Sequence, residues 1–396
     1  MADPWLSIVG LGEDGLSGLS DASRSALAQA EVIFGGPRHL DLVAAGERGR
    51  AWPVPFDIAP VLALRGRRVA VLASGDPFWF GAGSSLAAHL AQGEWRAYPV
   101  AGTVSLACAR LGWKIEEVSA LALHAAGFGG LHRALHRGAR LVVTLRDGEA
   151  PATLAAWLVA HGFGAVGIHV LERLGGAHER VRFARADRFS FEDIAAPVAV
   201  ALDAVDLPQG SGLPKSPGLS EDRFVHDGQI TKSPVRALTL AALAPRPGEL
   251  LWDIGGGSGS VSVEWCLAGG RAITIEPRAD RIANIRANIE TFGLSRQMET
   301  VEGRAPDALA DLASPDAVFI GGGGSTVLYD WLWPHLPEGT RIVANGVTLE
   351  TEALLAGLQS RHGGSLLRIE LSRAEPLGSM RGWSAARPVV QWSVTR

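Results

Sequence analysis

Residues 250–265 read LLWDIGGGSGSVSVEW, and the reading of the fold starts there. An apolar run ends at Ile254, the small residues Gly255, Gly256, Gly257, Ser258 and Gly259 follow, and a helical pattern begins. Glycines between a strand and a helix let the backbone approach a ligand closely, while the helix N-terminus offers unpaired N–H groups. The next strand ends at Glu276, 21 residues after Gly255, where a carboxylate can accept hydrogen bonds from both hydroxyls of a ribose. Together these residues predict an adenosine-type pocket. The dinucleotide fingerprint G-x-G-x-x-G would need glycine at 260, where Ser260 stands, so the spacing is G-x-G-x-G and NAD stays as the alternative cofactor.

Outward from this loop, strand patterns at 249–254, 272–276, 298–302, 317–320 and 341–344 alternate with helices at 261–267 and 279–292. Alternation of this kind predicts a Rossmann-like, doubly wound, mostly parallel sheet. Strands at 366–371 and 389–394 have no helical spacer and are expected to pair antiparallel at one edge. Upstream, 207–220 (LPQGSGLPKSPGLS) is rich in Pro, Gly and Ser and reads as a linker. It divides the chain into 1–206 and 221–396. The first part is also α/β, with strands at 6–9, 68–73, 141–145 and 166–171 and helices at 20–30, 103–111 and 153–161.

Composition narrows the function. With 396 residues, 47% hydrophobic and 20% charged, each part can bury its own core. The net charge of −4 divides evenly between the halves, and no basic stripe marks a nucleic-acid surface. Cys108 and Cys266 are far apart and predict buried thiols rather than a metal site. His132 and His136 are spaced as metal ligands can be, but no acid completes a set, and no metal is assigned. The start of the chain does not read as a signal peptide and no segment is apolar enough for a membrane span, so a cytoplasmic protein is expected. Arg180, Arg182, Arg185 and Arg188 read as a surface run.

The G-x-G-x-G loop preceded by Asp253 resembles the first motif of class I S-adenosylmethionine methyltransferases. With "ITKSPVRALTL", "IEPRADRIANIRANIETFG", "EGRAPDAL", "VFIGGGG" and "IVANGVTLET", residues 218–349 resemble the precorrin methyltransferases that methylate C15 and decarboxylate an acetate side chain. The resemblance implies that Thr231, Gly255 to Gly259, Glu276 and Ala305 contact S-adenosylmethionine. From their own chemistry, Lys232, one of three lysines, is expected to attract a carboxylated substrate, and Gly321 and Gly322 to offer bare backbone to a flat one. Gly321 to Gly324 stand where many methyltransferases carry a catalytic side chain. Four glycines supply no base, which suits an electron-rich carbon nucleophile.

In the first part, "VGLGEDG", "GGPRHL", "LASGDPFWFG", "AGTVSLACARLGW" and "LERLGGAHERV" resemble the tetrapyrrole methylase family, and "GGPRHL" resembles its C5-methylating members. That implies a two-subdomain fold with S-adenosylmethionine near Gly75, Asp76, Phe78, Gly102 and Thr103 and near Leu171 and Glu172. Gly10, Gly12 and Gly15 would face the tetrapyrrole. The chain departs from the family in having Ala101 before Gly102 and Val104 after Thr103.

A chain joining the two resembles the bifunctional precorrin-6Y C5,15-methyltransferases (decarboxylating) of cobalamin biosynthesis, which implies one S-adenosylmethionine per domain, precorrin-8 as product and a homo-oligomer. No catalytic acid is assigned. A methyltransferase acting on RNA or a protein residue, and a module that only binds nucleotide, are the alternatives.

Overall fold

The computed structural model describes residues 4–123 and 127–396. The chain forms two compact units, Met1–Phe128 with Ala134–Ser211, and Gly129–Arg133 with Gly212–Arg396.

The first unit holds two five-stranded sheets. One contains β1 (Leu6–Leu11), β2 (Val32–Gly35), β3 (Gly49–Ala51), β4 (Val69–Ser74) and β5 (Trp95–Tyr98), all parallel, in the order β3-β2-β4-β1-β5. Its central strands are apolar on both faces, as a parallel sheet covered on both sides requires. Val69, Ala70, Val71 and Leu72 are at most 1% exposed. Ser20 caps the first helix, its hydroxyl accepting from Ser23 N at 3.2 Å. The other sheet runs β6 (Val118–Ala122), β7 (Arg140–Thr144), β8 (Gly167–Glu172), β9 (Arg180–Arg185) and β10 (Val198–Asp203) in the order β6-β7-β10-β8-β9, antiparallel except for β6 with β7. Arg180, Arg182 and Arg185 therefore lie on an edge strand. Arg180 and Arg182 both pair with the buried Glu172 and with Asp193. The helix at Leu131–Ala134 ends before His136, so the two histidines do not share a helical face.

The second unit contains β11 (Leu250–Ile254), β12 (Arg271–Glu276), β13 (Met298–Glu302), β14 (Ala317–Ile320), β15 (Arg341–Gly346), β16 (Ser365–Ile369), β17 (Ser372–Leu377), β18 (Met380–Ala385) and β19 (Val389–Thr395). Seven of these form one sheet in the order β13-β12-β11-β14-β15-β19-β16. The first five are parallel, and the expected antiparallel pairing of β16 with β19 is present at one edge. Strand order reverses between β11 and β14, the switch point where open α/β sheets bind ligands beyond their carboxyl ends. Trp265, Phe292 and Leu243 pack on one face of the sheet, and Tyr329, Leu332 and Trp392 on the other. Between β16 and β19 an unforeseen hairpin, β17 with β18, is exposed along nearly its whole length.

The stretch read as a linker has no regular secondary structure, and its far end is fastened to the second unit. Leu219 joins the core there. Gly218 N and Leu219 N donate to the Glu264 carboxylate at 2.6 and 2.9 Å. Arg236 Nε reaches the same carboxylate at 2.6 Å, and its other nitrogens bond to Thr231 O and Leu219 O. Both side chains are essentially inaccessible, 0% and 3%. Removing one member strands a buried charge. Arg236→Met is thus expected to lower the unfolding free energy of this unit by about 3–5 kcal/mol in urea titrations followed by tryptophan fluorescence; a loss below about 1 kcal/mol would show that the pair does not anchor the segment.

Candidate functional site

In the second unit Gly255 to Gly259, Glu276, Ala305, Gly321 and Gly322 follow the carboxyl ends of β11 to β14. Gly255, Gly257 and Gly259 all have positive φ, +71°, +60° and +71°, a region that side chains disfavour. Gly255 is further constrained by packing, since a Cβ there would lie 2.5 Å from Gly322 O. The loops after β11 and β14 thus touch backbone to backbone. A Cβ on Gly256 would overlap the Thr274 methyl group. Glu276 is 2% exposed; its carboxylate accepts from Gly257 N at 3.0 Å and Arg278 N at 3.1 Å. Each oxygen keeps a further lone pair for a ribose hydroxyl. Gly303, which opens the segment carrying Ala305, donates its N–H to Glu276 O at 3.2 Å.

Beneath the loop, Asp253 is buried. Ser262 Oγ donates to its Oδ2 at 2.7 Å and receives the Thr274 hydroxyl proton at 2.7 Å. Burial, far outweighing the Ser262 bonds, raises its pKa from the ordinary 3.8 to about 6. Asp253 Oδ1 and Ser258 Oγ are buried with no hydrogen-bond partner. A glycine cradle over orphaned polar atoms, flanked by an acid at strand end, fits an adenosyl cofactor with a charged amino-acid tail. Thr231 is half-buried and held through its carbonyl by Arg236, whereas Lys232 is exposed. A groove of this unit, about 590 Å³, lies elsewhere, lined by Leu213, Leu240 and Leu267 and by none of the predicted residues.

In the first unit the three glycine clusters meet. A Cβ on Gly10 would overlap Gly75 O, and one on Gly75, whose φ is +60°, would stand 2.7 Å from Gly102 Cα. These turns border a cavity of about 460 Å³ reached from both sheets. Gly12, Gly75, Gly102, Thr103 and Leu171 line it. Gly10, Gly15, Asp76 and Phe78 do not: Gly15 is buried, Asp76 accepts from Phe78 N at 2.8 Å and the Phe78 ring packs on Trp95. Glu172 is held by Arg180, Arg182 and Ala195 N.

Sequence reasoning did not single out the polar side chains of this cavity, Glu13, Arg38, His39 and Ser74, or its aromatic rim of Trp52, Phe56, Trp79 and Phe80. Glu13, Arg38 and His39 sit inside "VGLGEDG" and "GGPRHL", the one signal that could have marked them. Arg38 pairs with Glu13 and donates to His39 Nε2 at 2.9 Å; Ser74 Oγ lies 2.9 Å from the same nitrogen. Burial, and secondarily the Arg38 charge, push His39 down to about 4.

The comparisons divide in the same way. Residues 6–189 match the tetrapyrrole (corrin/porphyrin) methylases and 222–396 the precorrin methyltransferase domain. A precorrin-6Y C(5,15)-methyltransferase [decarboxylating] of Sinorhizobium sp is 46% identical over 404 residues, covering 100% of this chain and 97% of its own. The chain belongs to this family. A second member, from Mycobacterium tuberculosis (strain CDC 1551 / Oshkosh), is 40% identical over 98% of this chain and 99% of its own. The crystal structure of the C-terminal domain of a precorrin-6Y C5,15-methyltransferase from Rhodobacter capsulatus is 72% identical, covering 46% of this chain and 100% of that domain with a TM-score of 0.46.

Asp253 yields a pH prediction. Its folded pKa lies above the unfolded value, so the folded state holds the extra proton between about 4 and 6, and stability falls as pH rises through that window. Asp253→Asn, which keeps the acceptor for Ser262, is expected to stabilise the second unit at pH 8 by up to about 3 kcal/mol. The gain should vanish below pH ~4. Urea unfolding at the two pH values checks this; an equal effect at both would exclude a buried charge as the cause.

Proposed function

We propose that the chain transfers methyl groups from S-adenosylmethionine to C5 and C15 of precorrin-6Y and releases the carboxyl of an acetate side chain as carbon dioxide. The first unit is assigned C5, and the second C15 and the decarboxylation. The observation that carries this reading is the presence of two separate glycine cradles, one per unit, in a chain matched end to end by decarboxylating C5,15-methyltransferases.

Bound S-adenosylmethionine supplies an electrophilic sulfonium methyl group. In the second unit, Gly255 to Gly259 and Glu276 hold the adenosine end, Thr231 the amino-acid end and Ala305 the base, one cofactor in each unit. Gly321 and Gly322 leave bare backbone against which a flat ring can lie, and Lys232 attracts a ring carboxylate. A meso carbon of a reduced tetrapyrrole is enamine-like, so alignment and exclusion of water provide most of what methyl transfer needs. In the first unit Gly75, Gly102, Thr103 and Leu171 border the cofactor and Gly12 the tetrapyrrole. Decarboxylation uses the protonated macrocycle as its electron sink. The setting is cytoplasmic.

Each half has its own test, read as the product mass from full-length protein with S-adenosylmethionine and reduced precorrin-6. The side chain introduced by Gly10→Ala overlaps Gly75 O, and that introduced by Gly256→Ala overlaps Thr274. Gly10→Ala should leave a product with one methyl gained and one carboxyl lost; Gly256→Ala should leave one methyl gained and every carboxyl kept. Loss of both activities in either variant, with the other unit still folded, would refute the division.

The hairpin of β17 and β18 supports a homo-oligomer. Leu377, Met380 and Trp383 are 70%, 76% and 80% exposed on it, and an isolated two-stranded ribbon is marginal in water. Trp383→Asp is expected to shift the sedimentation coefficient of the assembly toward that of a single chain. An unchanged coefficient would move the interface elsewhere.

A further inference from the structure

Methylation of a ring carbon that already carries hydrogen ends with that hydrogen leaving as a proton. Its acceptor in the first unit is the open question, and this inference rests on the C5 reading above. Among the described residues the cavity lining contains three titratable side chains, Glu13, Arg38 and His39. Glu13 is committed to Arg38 as an ion pair, and a guanidinium accepts nothing. His39 remains.

Its hydrogen bonds define its state. Arg38 is always a donor, and its Nη2 lies 2.9 Å from His39 Nε2. That nitrogen must therefore be the unprotonated one, with the ring proton on Nδ1. Ser74 Oγ, 2.9 Å from the same Nε2, has no hydrogen to receive there and turns its own toward it, so that the single Nε2 lone pair is shared between the serine O–H and the Arg38 N–H. Arg38 Nη2 also points a donor at Ser74 Oγ from 3.4 Å. The serine sits at the carboxyl end of β4, directly before Gly75, and lines the cavity with His39.

We infer that Ser74 and His39 form the proton relay of C5 methylation, Ser74 taking the proton from C5 as it passes its own to His39 Nε2. The electron count closes. The π pair at C5 makes the new carbon–carbon bond while the sulfur–methyl pair returns to sulfur, leaving a cationic macrocycle. The C5–H pair then restores the double bond, and the proton moves to Ser74 and on to His39. Water receives it when product departs.

The charged groups facing His39 are Arg38 beside it and Glu13 across from Arg38. In the free protein the nearby guanidinium and burial hold the imidazole neutral. A ring carboxylate seated beside Arg38, the only cation among the described residues lining this cavity, offsets the part of that charge that Glu13 leaves. His39 then becomes a stronger base when substrate is in place, and the relay is armed by the molecule it serves.

The test uses the full chain and substrate carrying deuterium at C5. His39→Gln and Ser74→Ala are each expected to lower kcat for C5 methylation on the order of 10²-fold. KM for the tetrapyrrole and binding of S-adenosylmethionine should stay within about twofold, and the C15 methyl and carboxyl loss should proceed as in the parent chain. Slow proton removal should raise the deuterium isotope effect above the parent value. Imidazole ¹⁵N spectra of the protein without ligands should show His39 neutral, with its proton on Nδ1 at pH 7, becoming protonated at a higher pH once tetrapyrrole is bound.

An unchanged C5 rate or isotope effect in both variants, or a loss confined to KM, would overturn the relay while leaving the function intact. So would an imidazolium at pH 7. A parent chain that transfers no methyl group to a tetrapyrrole would remove the functional reading and the relay together.

Discussion

Both units are built around one constraint: backbone from separate loops must meet at the carboxyl ends of parallel strands with no side chain between. In the first unit the meeting is Gly10 against Gly75 and Gly75 against Gly102; in the second it is Gly255 against Gly322. Each contact leaves no room for a Cβ, and positive φ at Gly75 and Gly255 adds a conformational reason for glycine. What results is a surface of peptide groups, which can donate and accept hydrogen bonds at short range but cannot titrate. A methyl transfer to a carbon that is already nucleophilic asks for little else. The two sheets that present these surfaces differ in topology, so the shared constraint arises from the chemistry rather than from a common scaffold.

The second unit needs one thing more, because Thr231 and Lys232 lie on a segment outside the sheet. Glu264 and Arg236 fasten it. The carboxylate takes two N–H groups of the incoming chain, and the guanidinium takes the carbonyls of Leu219 and Thr231. Every hydrogen bond in this set spends a buried charge on backbone polar groups that irregular chain would otherwise leave exposed to a low-dielectric interior. Gly218 to Thr231 is thereby fixed against the sheet, so the end of the proposed cradle farthest from Glu276 is held by a charge pair rather than by regular secondary structure.

Much of this was legible in the sequence. Strands buried on both faces write themselves as nearly continuous apolar runs, and β4, β11 and β14 stand out for that reason. The glycine loops were visible as well. The hairpin of β17 and β18 was not, because a ribbon exposed on both faces has no apolar alternation to reveal it. Arg180 to Arg188 read as a solvated run since four arginines in nine residues look like surface; Glu172 and Asp193, the partners of Arg180 and Arg182, come from other segments. The relay was illegible for the same cause. Glu13, Arg38 and Ser74 come from three different strand ends, and only the order β2-β4-β1 brings them to one cavity.

That cavity also says how a polycarboxylate would be received. Among the described lining residues its one cation is Arg38, paired with Glu13, and His39 is neutral, so Coulomb attraction adds an orienting contact more than a strong pull. Carrying a carboxylate into such a site costs several kcal/mol if it stays unpaired. The apolar ring face has no such penalty. Phe56 and Phe80, 52% and 62% exposed in the free protein, stand at the rim with Trp52 and Trp79. Covering them with a flat macrocycle gains about 25 cal/mol for each Å² removed from water. On the proposed reading, the ring face lies against the aromatic rim, with one carboxylate at Arg38 and the others left in water. Under that reading affinity comes from stacking, while the single charged contact sets which edge of the ring meets Ser74.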